Sequence, residues 1–190
     1  ISFNYKKLRD LRIPSQAVYQ VKNASMALMA AQYLSEEGLY RISEDQMRKG
    51  LLSFSWEGRM ELISKEPRII LDGAHNPLGI RALKESLDLL TYERLIIIVA
   101  SLKDKDYQLM AESLGQLDAY FIVSQLDYEG RSLDLDQLKK AYPGADAIED
   151  KEEALARALE VYRENDLILV TGSLYFVADF RRLILARLGR

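Results

Sequence analysis

A chain of 190 residues, 48% hydrophobic and carrying a formal net charge of −3, can bury a sizeable core and gives no electrostatic reason to expect nucleic acid or a membrane surface as partner. It has no cysteine, which excludes disulfides and thiolate metal sites and suits a cytoplasmic location. Its longest apolar run, Leu95 to Ala100, is far short of a membrane span.

Residues 1 to 19 read as extended and irregular, with Pro14 as a breaker and a local basic excess that suits a solvated face. Ala24, Ala27, Leu28, Ala31 and Leu34 then recur at helical spacing, and Gly38 is suited to end that helix. Ser43 to Gln46 has the form of a capping box and opens a second helix with Met47 and Leu51 on its apolar side. No strands are expected to accompany these two helices, and the segment is too small to bury a core comfortably. The chain begins at Ile1 rather than Met, as a fragment of a longer protein would.

The pattern changes at Ser55-Trp56-Glu57-Gly58-Arg59. Strands are predicted over 60–63, 68–71, 95–99, 120–123 and 167–170. Helices are predicted over 77–90, 106–114, 135–141, 151–163 and 175–188. The last four strands are short and continuously apolar, as strands covered on both faces are. Alternation with helices predicts an α/β, Rossmann-like, mostly parallel sheet flanked by helices. The strand at 60–63 reads as an antiparallel edge partner of 68–71.

In such a sheet the carboxyl ends of the parallel strands share one edge, where ligands bind. The loops leaving that edge are Asp72 to Asn76, Ser101 to Asp106, Ser124-Gln125 and Thr171 to Ser173. Asn76-Pro77 is the plainest helix start, an N-cap followed by proline at the first helical position. Gly73 permits a tight turn. His75, the only histidine, suits either a buried hydrogen-bonded side chain or a ligand contact. Asp72 ends a buried strand, so its carboxylate must be paired or hydrated, which points to a ligand hydroxyl, a metal ion or a basic partner. Gly172-Ser173 before a helix could cap it or bind an anion. Arg59 suits phosphate recognition or an ordinary surface position. Lys103 to Asp106 reads as a solvated loop. There is no Gly-Lys-Ser/Thr phosphate loop and no Gly-x-Gly-x-x-Gly fingerprint. Residue chemistry alone stops at an α/β domain with a polar site at its strand ends.

Five segments in order carry a resemblance. They are Gln20-x-x-Asn23-Ala24, Trp56-Glu57-Gly58-Arg59-x-Glu61, Leu71-Asp72-Gly73-Ala74-His75-Asn76-Pro77, Asp104-Lys105-Asp106 and Thr171-Gly172-Ser173-Leu174-Tyr175. Together they resemble the C-terminal portion of the folylpolyglutamate synthase/dihydrofolate synthase family, in the Mur ligase superfamily. Two positions depart from it. Tyr19 stands where that family commonly has His, and Glu57 where it commonly has Pro.

The resemblance implies that residues 1–55 are the last segment of a central ATPase domain, a helical remnant, and that 56–190 are the C-terminal glutamate-ligase domain. It implies an ATP-dependent ligase that adds L-glutamate to the γ-carboxyl of a folate through an acyl phosphate. This chain would be an incomplete enzyme, inactive alone. Its partners would be ATP, L-glutamate, a reduced folate and the missing N-terminal ATPase domain. Mg2+ is expected on ligands of that missing domain, and no metal ligand is expected here. Asn23 would bind adenine, Arg59 the ATP phosphates and Asp72 the ribose hydroxyls. His75 and Ser173 would line the glutamate site as the catalytic positions. Catalysis would be positioning and charge stabilisation, with no covalent step by this chain. Two alternatives are a Mur-type ligase that adds an amino acid to a cell-wall precursor, and a non-catalytic α/β binding module.

Overall fold

A computed structural model describes residues 1–126, Tyr128 and 130–189. The chain divides into two compact units, Ile1–Trp56 and Glu57–Arg190.

The first unit opens with a hairpin, β1 (Ser2–Tyr5) antiparallel to β2 (Leu8–Arg12). This corrects the expectation of an irregular segment without strands. The strands are too short for a clear alternation, and their inward residues, Leu8 and Leu11, become evident only once α1 (Tyr19–Glu36) and α2 (Glu44–Leu52) pack on them. The predicted capping box at α2 is formed. The Ser43 hydroxyl accepts the Gln46 N–H at 3.2 Å, and the Gln46 side chain accepts the Ser43 N–H at 2.8 Å. Gly38, at φ +70°, ends α1 as expected. Helix α1 buries only Gln20, Ala24 and Leu28, while Met26, Met29 and Tyr33 are exposed.

The second unit is a six-stranded sheet flanked by helices, among the described residues. In chain order its elements are β3 (Glu61–Lys65), β4 (Arg68–Asp72), α3 (Pro77–Leu87), β5 (Leu95–Val99), α4 (Tyr107–Leu114), β6 (Ala119–Val123), α5 (Leu135–Ala141), β7 (Asp146–Ala147), α6 (Lys151–Val161), β8 (Leu167–Thr171) and α7 (Leu174–Arg187). The spatial order is β3-β4-β8-β5-β6-β7. Only β3 is antiparallel, paired with β4, as its sequence predicts. The two-residue β7, parallel to β6, is too short to announce itself in sequence.

The order explains the layers. From β4 to β7 the chain advances across the sheet in one direction, then returns to insert β8 between β4 and β5. Right-handed crossovers therefore put α3, α4 and α5 on one face and α6 on the other. Side chains confirm this by alternation. Ile69, Leu71, Ile96, Ile98, Ile168 and Val170 form one core with Ala154 and Ala158 of α6 and Phe176, Phe180 and Ile184 of α7. The alternate residues Ile70, Ile97 and Leu169, which are fully buried, face the opposite side. Helix α3 contributes Ile80, Leu83 and Leu87, all at 0% exposure, each stabilising by about 1.5–3 kcal/mol.

The return of β8 is what positions the polar edge. Asp72 of β4 registers with Thr171 of β8, and Thr171 with Val99 of β5. At the opposite edge Arg94 and Asp166 pin the starts of β5 and β8, with Arg94 Nε donating to Asp166 Oδ1 at 3.2 Å. Burial opposes ionisation of Asp166, but the Arg94 guanidinium and the Arg163 N–H hold its carboxyl below the usual carboxylate range.

Candidate site at the carboxyl edge of β4 and β8

The β4–α3 loop is set by the side chain that ends the strand. Asp72 is 1% exposed. Its Oδ2 accepts the Met60 N–H at 2.9 Å, and its Oδ1 accepts the Ala74 N–H at 2.9 Å. The buried carboxylate thus meets backbone amides, where the sequence pointed to a ligand hydroxyl, a metal ion or a basic side chain. Beyond it, Asn76 caps α3 by accepting the Gly79 N–H at 2.7 Å, with Pro77 at the first helical position.

Between these anchors lies Gly73. Its N–H donates to the Gly58 carbonyl at 2.7 Å. Its own carbonyl receives two side chains, His75 Nδ1 at 2.8 Å and Arg59 Nη1 at 3.5 Å. A carbonyl only accepts, so Nδ1 carries the hydrogen. This leaves Nε2 of the half-buried His75 without a partner among the described residues. A Cβ on Gly73 would lie 2.1 Å from Leu174 Cδ2. Glycine is needed here for close approach to α7.

The β8–α7 loop is fastened to the same place. Gly172, at φ +106°, donates its N–H to the Ala74 carbonyl at 3.1 Å. Ser173 follows, 2% exposed, in extended conformation at the N-terminus of α7. Its hydroxyl makes no capping bond, unlike Ser43, Asn76, Asp134 and Asp150 at α2, α3, α5 and α6. The first N–H groups of α7 therefore have no side-chain acceptor from Ser173. Two hydroxyls near this edge, on Thr171 and Ser101, are buried without a hydrogen-bond partner among the described residues.

Arg59, Asp72 and His75 thus belong to one connected set of strand-end bonds, which also takes in Gly172, the residue before Ser173. Asn23 lies on α1 in the first unit, where its Nδ2 donates to Gln20 Oε1 at 2.8 Å. The β5–α4 loop is tied down by charge. Asp104 pairs with Arg131 at 2.7 Å and Lys105 at 3.4 Å, and the Arg131 bond first of all holds its carboxyl low. Ser124 is structural, its hydroxyl donating to the Glu149 carbonyl at 3.1 Å. A cavity of about 930 Å³ between Gln125, Leu135 and Glu149 contains none of the predicted site residues.

Three features escaped the sequence reading. Arg181 of α7 bonds Glu61 at 3.0 Å and Glu57 at 2.9 Å. Tyr128 stacks on Tyr175 with ring centroids 4.2 Å apart, and Arg131 lies over the Tyr128 ring. The Arg181 pairs and the Tyr128–Tyr175 stack join residues far apart in sequence, and no local pattern announces them. Among the described residues no three His, Asp or Glu side chains gather as a ligand set for a metal, and no helix is long and apolar enough to cross a membrane.

A mostly parallel sheet covered by helices on both faces, with its glycine turns at the carboxyl edge, defines a doubly wound α/β domain, the class of fold in which ligands generally meet that edge. Residues 58–174 match the family model described as Mur ligase, glutamate ligase domain, and the chain belongs to that family. It is 30% identical over 179 residues to the dihydrofolate synthase/folylpolyglutamate synthase of Bacillus subtilis, a match that covers 93% of this chain and 42% of that protein. Its fold is similar to that of E. coli FolC in complex with ADP, with a TM-score of 0.86 and 27% identity over 96% of this chain and 43% of that one. It is also similar to a bifunctional folylpolyglutamate synthase/dihydrofolate synthase solved with Mn, AMPPNP and L-glutamate, with a TM-score of 0.83 and 27% identity over 96% and 42% of the two chains. The chain spans about two fifths of the length of the relatives it matches.

Proposed function

We propose that this chain is the C-terminal portion of an ATP-dependent folylpolyglutamate synthase, in which it binds part of the nucleotide and the incoming glutamate. The observation that carries the reading is the shared Gly73 carbonyl. At it meet a delocalised cation, Arg59 from the turn before β3, and an imidazole with an open Nε2, His75 from the loop that follows Asp72. ATP supplies the phosphoryl group that activates a folate carboxyl for attack by the glutamate amine.

In this reading Arg59 meets the phosphates. A guanidinium suits them because it is planar and always charged. Asp72 accepts from the ribose hydroxyls, as a carboxylate at the end of β4 with only acceptor oxygens can. His75 Nε2 and the uncapped Ser173 end of α7 receive the glutamate, whose carboxylates suit both imidazole N–H and helix N–H donors. On the first unit, Asn23 presents an amide that can both donate and accept, as adenine requires. That unit is the last segment of the ATPase domain, and the divalent metal is held by residues outside this chain. A cytoplasmic location fits these substrates.

The experiment is ATP-dependent addition of radiolabelled glutamate to a reduced folate. It is run with the 190-residue chain alone and with the full-length ligase that contains it. Turnover by the ligase and none by the chain is expected. Robust turnover by the chain alone would overturn the fragment reading. Addition of an amino acid to a cell-wall precursor, with folate untouched, would replace the folate substrate.

A further inference from the structure

Arg59 has no carboxylate partner among the described residues, and its one bond, to Gly73, is long. Its placement is therefore set by the backbone that carries it. That backbone is pinned on both sides. Before it, Gly58 takes φ +65°, donates its N–H to Glu61 Oε2 at 2.8 Å and accepts from Gly73 at 2.7 Å. After it, Met60 takes φ +49° with its side chain buried and donates its N–H to Asp72 Oδ2 at 2.9 Å. A left-handed conformation at Met60 costs about 1–2 kcal/mol and persists only where its surroundings over-determine it.

One side chain holds the whole segment. Arg181, about two turns along α7, donates through Nε to Glu61 Oε1 at 3.0 Å and Oε2 at 3.2 Å. Its Nη2 bonds Glu57 Oε1 at 2.9 Å. Glu61 in turn holds the Gly58 N–H, so the chain of contact runs from Arg181 through Glu61 to the residue before Arg59. Glu57 occupies the position where the resembled family commonly has proline.

We infer that Arg181, acting through Glu61 and Glu57, is the positioning residue for Arg59. The inference rests on the proposed phosphate role of Arg59 for its kinetic consequence, but its structural content is independent of ATP. Helix α7 then does two jobs: its N-terminus presents Ser173, and its third turn aims Arg59.

Two measurements test this. The first uses the 190-residue chain and 15N NMR. Arg181→Met is expected to shift and broaden the Arg59 Nε–H signal and the Gly58 and Met60 amides, while signals from α4 and α5 stay in place. Unmoved Arg59, Gly58 and Met60 signals would overturn the inference whatever the chain binds. The second uses the full-length ligase. Arg181→Met is expected to raise KM for ATP about tenfold and to leave KM for glutamate within about twofold. Arg181→Lys, keeping the charge but not the fork, restores part of the loss. In an Arg59→Ala background the Arg181 change adds nothing to KM for ATP. Equal losses for both substrates, or an undiminished effect in that background, would mean that Arg181 only stabilises the fold. If Arg181→Met does not fold, Glu61→Gln and Arg181→Lys carry the same comparisons. An Arg59→Ala ligase with unchanged KM for ATP would instead remove the phosphate role and leave the NMR result standing.

Discussion

Arg59 and His75 share one acceptor, the carbonyl oxygen of Gly73, at 3.5 and 2.8 Å. The two side chains approach it from different elements, Arg59 from the turn before β3 and His75 from the loop after β4. The shorter bond fixes the imidazole tautomer. The longer one leaves the guanidinium able to exchange that carbonyl for a ligand anion without losing a strong contact.

In the proposed function this asymmetry assigns the two residues different ligands. His75→Ala in the full-length ligase is expected to raise KM for glutamate about tenfold and KM for ATP much less. Steady-state kinetics with each substrate varied checks it, and the reverse pattern would move His75 to the nucleotide.

Asp72 carries a structural burden as well as its proposed ribose contact. Asp72→Ala leaves the Met60 and Ala74 N–H groups without their acceptors, and is expected to lower stability by about 2–4 kcal/mol. Urea unfolding of the 190-residue chain without nucleotide measures this. An unchanged midpoint would show that these amides do not depend on the carboxylate.

The two glycines of the edge differ in what surrounds them. At Gly172 a Cβ would lie 2.0 Å from the Ala100 carbonyl oxygen, on a backbone at φ +106°. Gly172→Ala should therefore cost about 3 kcal/mol or more. At Gly73 the obstacle is the Leu174 side chain, at 2.1 and 2.7 Å. Gly73→Ala alone should destabilise, and adding Leu174→Ala should recover most of the loss. Denaturation midpoints of the three variants test this, and no recovery in the double variant would place the strain in the Gly73 backbone.

Acid sensitivity should arise at the far edge. Asp166 is depressed in the folded state, so its stabilising contribution is present above the ordinary carboxylate value of about 3.9 and is lost as pH falls through the folded value. Asp166→Asn is expected to be less stable than the native chain near neutrality. The gap should narrow as pH falls below about 4. Urea midpoints measured against pH report it. A gap independent of pH would mean that the Arg94 pair contributes by geometry alone. The proposed glutamate and ATP affinities should be untouched, because Asp166 immediately precedes β8 and Ser173 follows its end.

Much of the second unit was legible because its signals are local. The run Leu95 to Val99 is a strand as predicted, and Asn76-Pro77 starts α3 through the predicted cap. The hairpin of residues 2–12 was not legible, since its inward leucines gain meaning only against α1 and α2. The strand β7 has two residues and no period to detect. Of the candidate site, the loops that meet at the edge could be listed in advance, because parallel strands send all their ends one way. The partners of Asp72 could not, because a carboxylate reads the same in sequence whether an amide, a cation or a ligand answers it.

By itself the sequence determined the α/β class, the order of elements in the second unit apart from β7, the caps at Ser43 and Asn76 and the motifs by which the family is recognised. All of these rest on side-chain period, turn chemistry or residue identity along a short stretch. The tertiary structure alone decided that β8 enters between β4 and β5, that Gly73 offers its carbonyl to both Arg59 and His75, and that Arg181 grips Glu57 as well as Glu61, the latter from 120 residues away in sequence. Those relationships depend on which distant segments share a neighbourhood, and that is set by packing the apolar faces of helices on a twisted sheet.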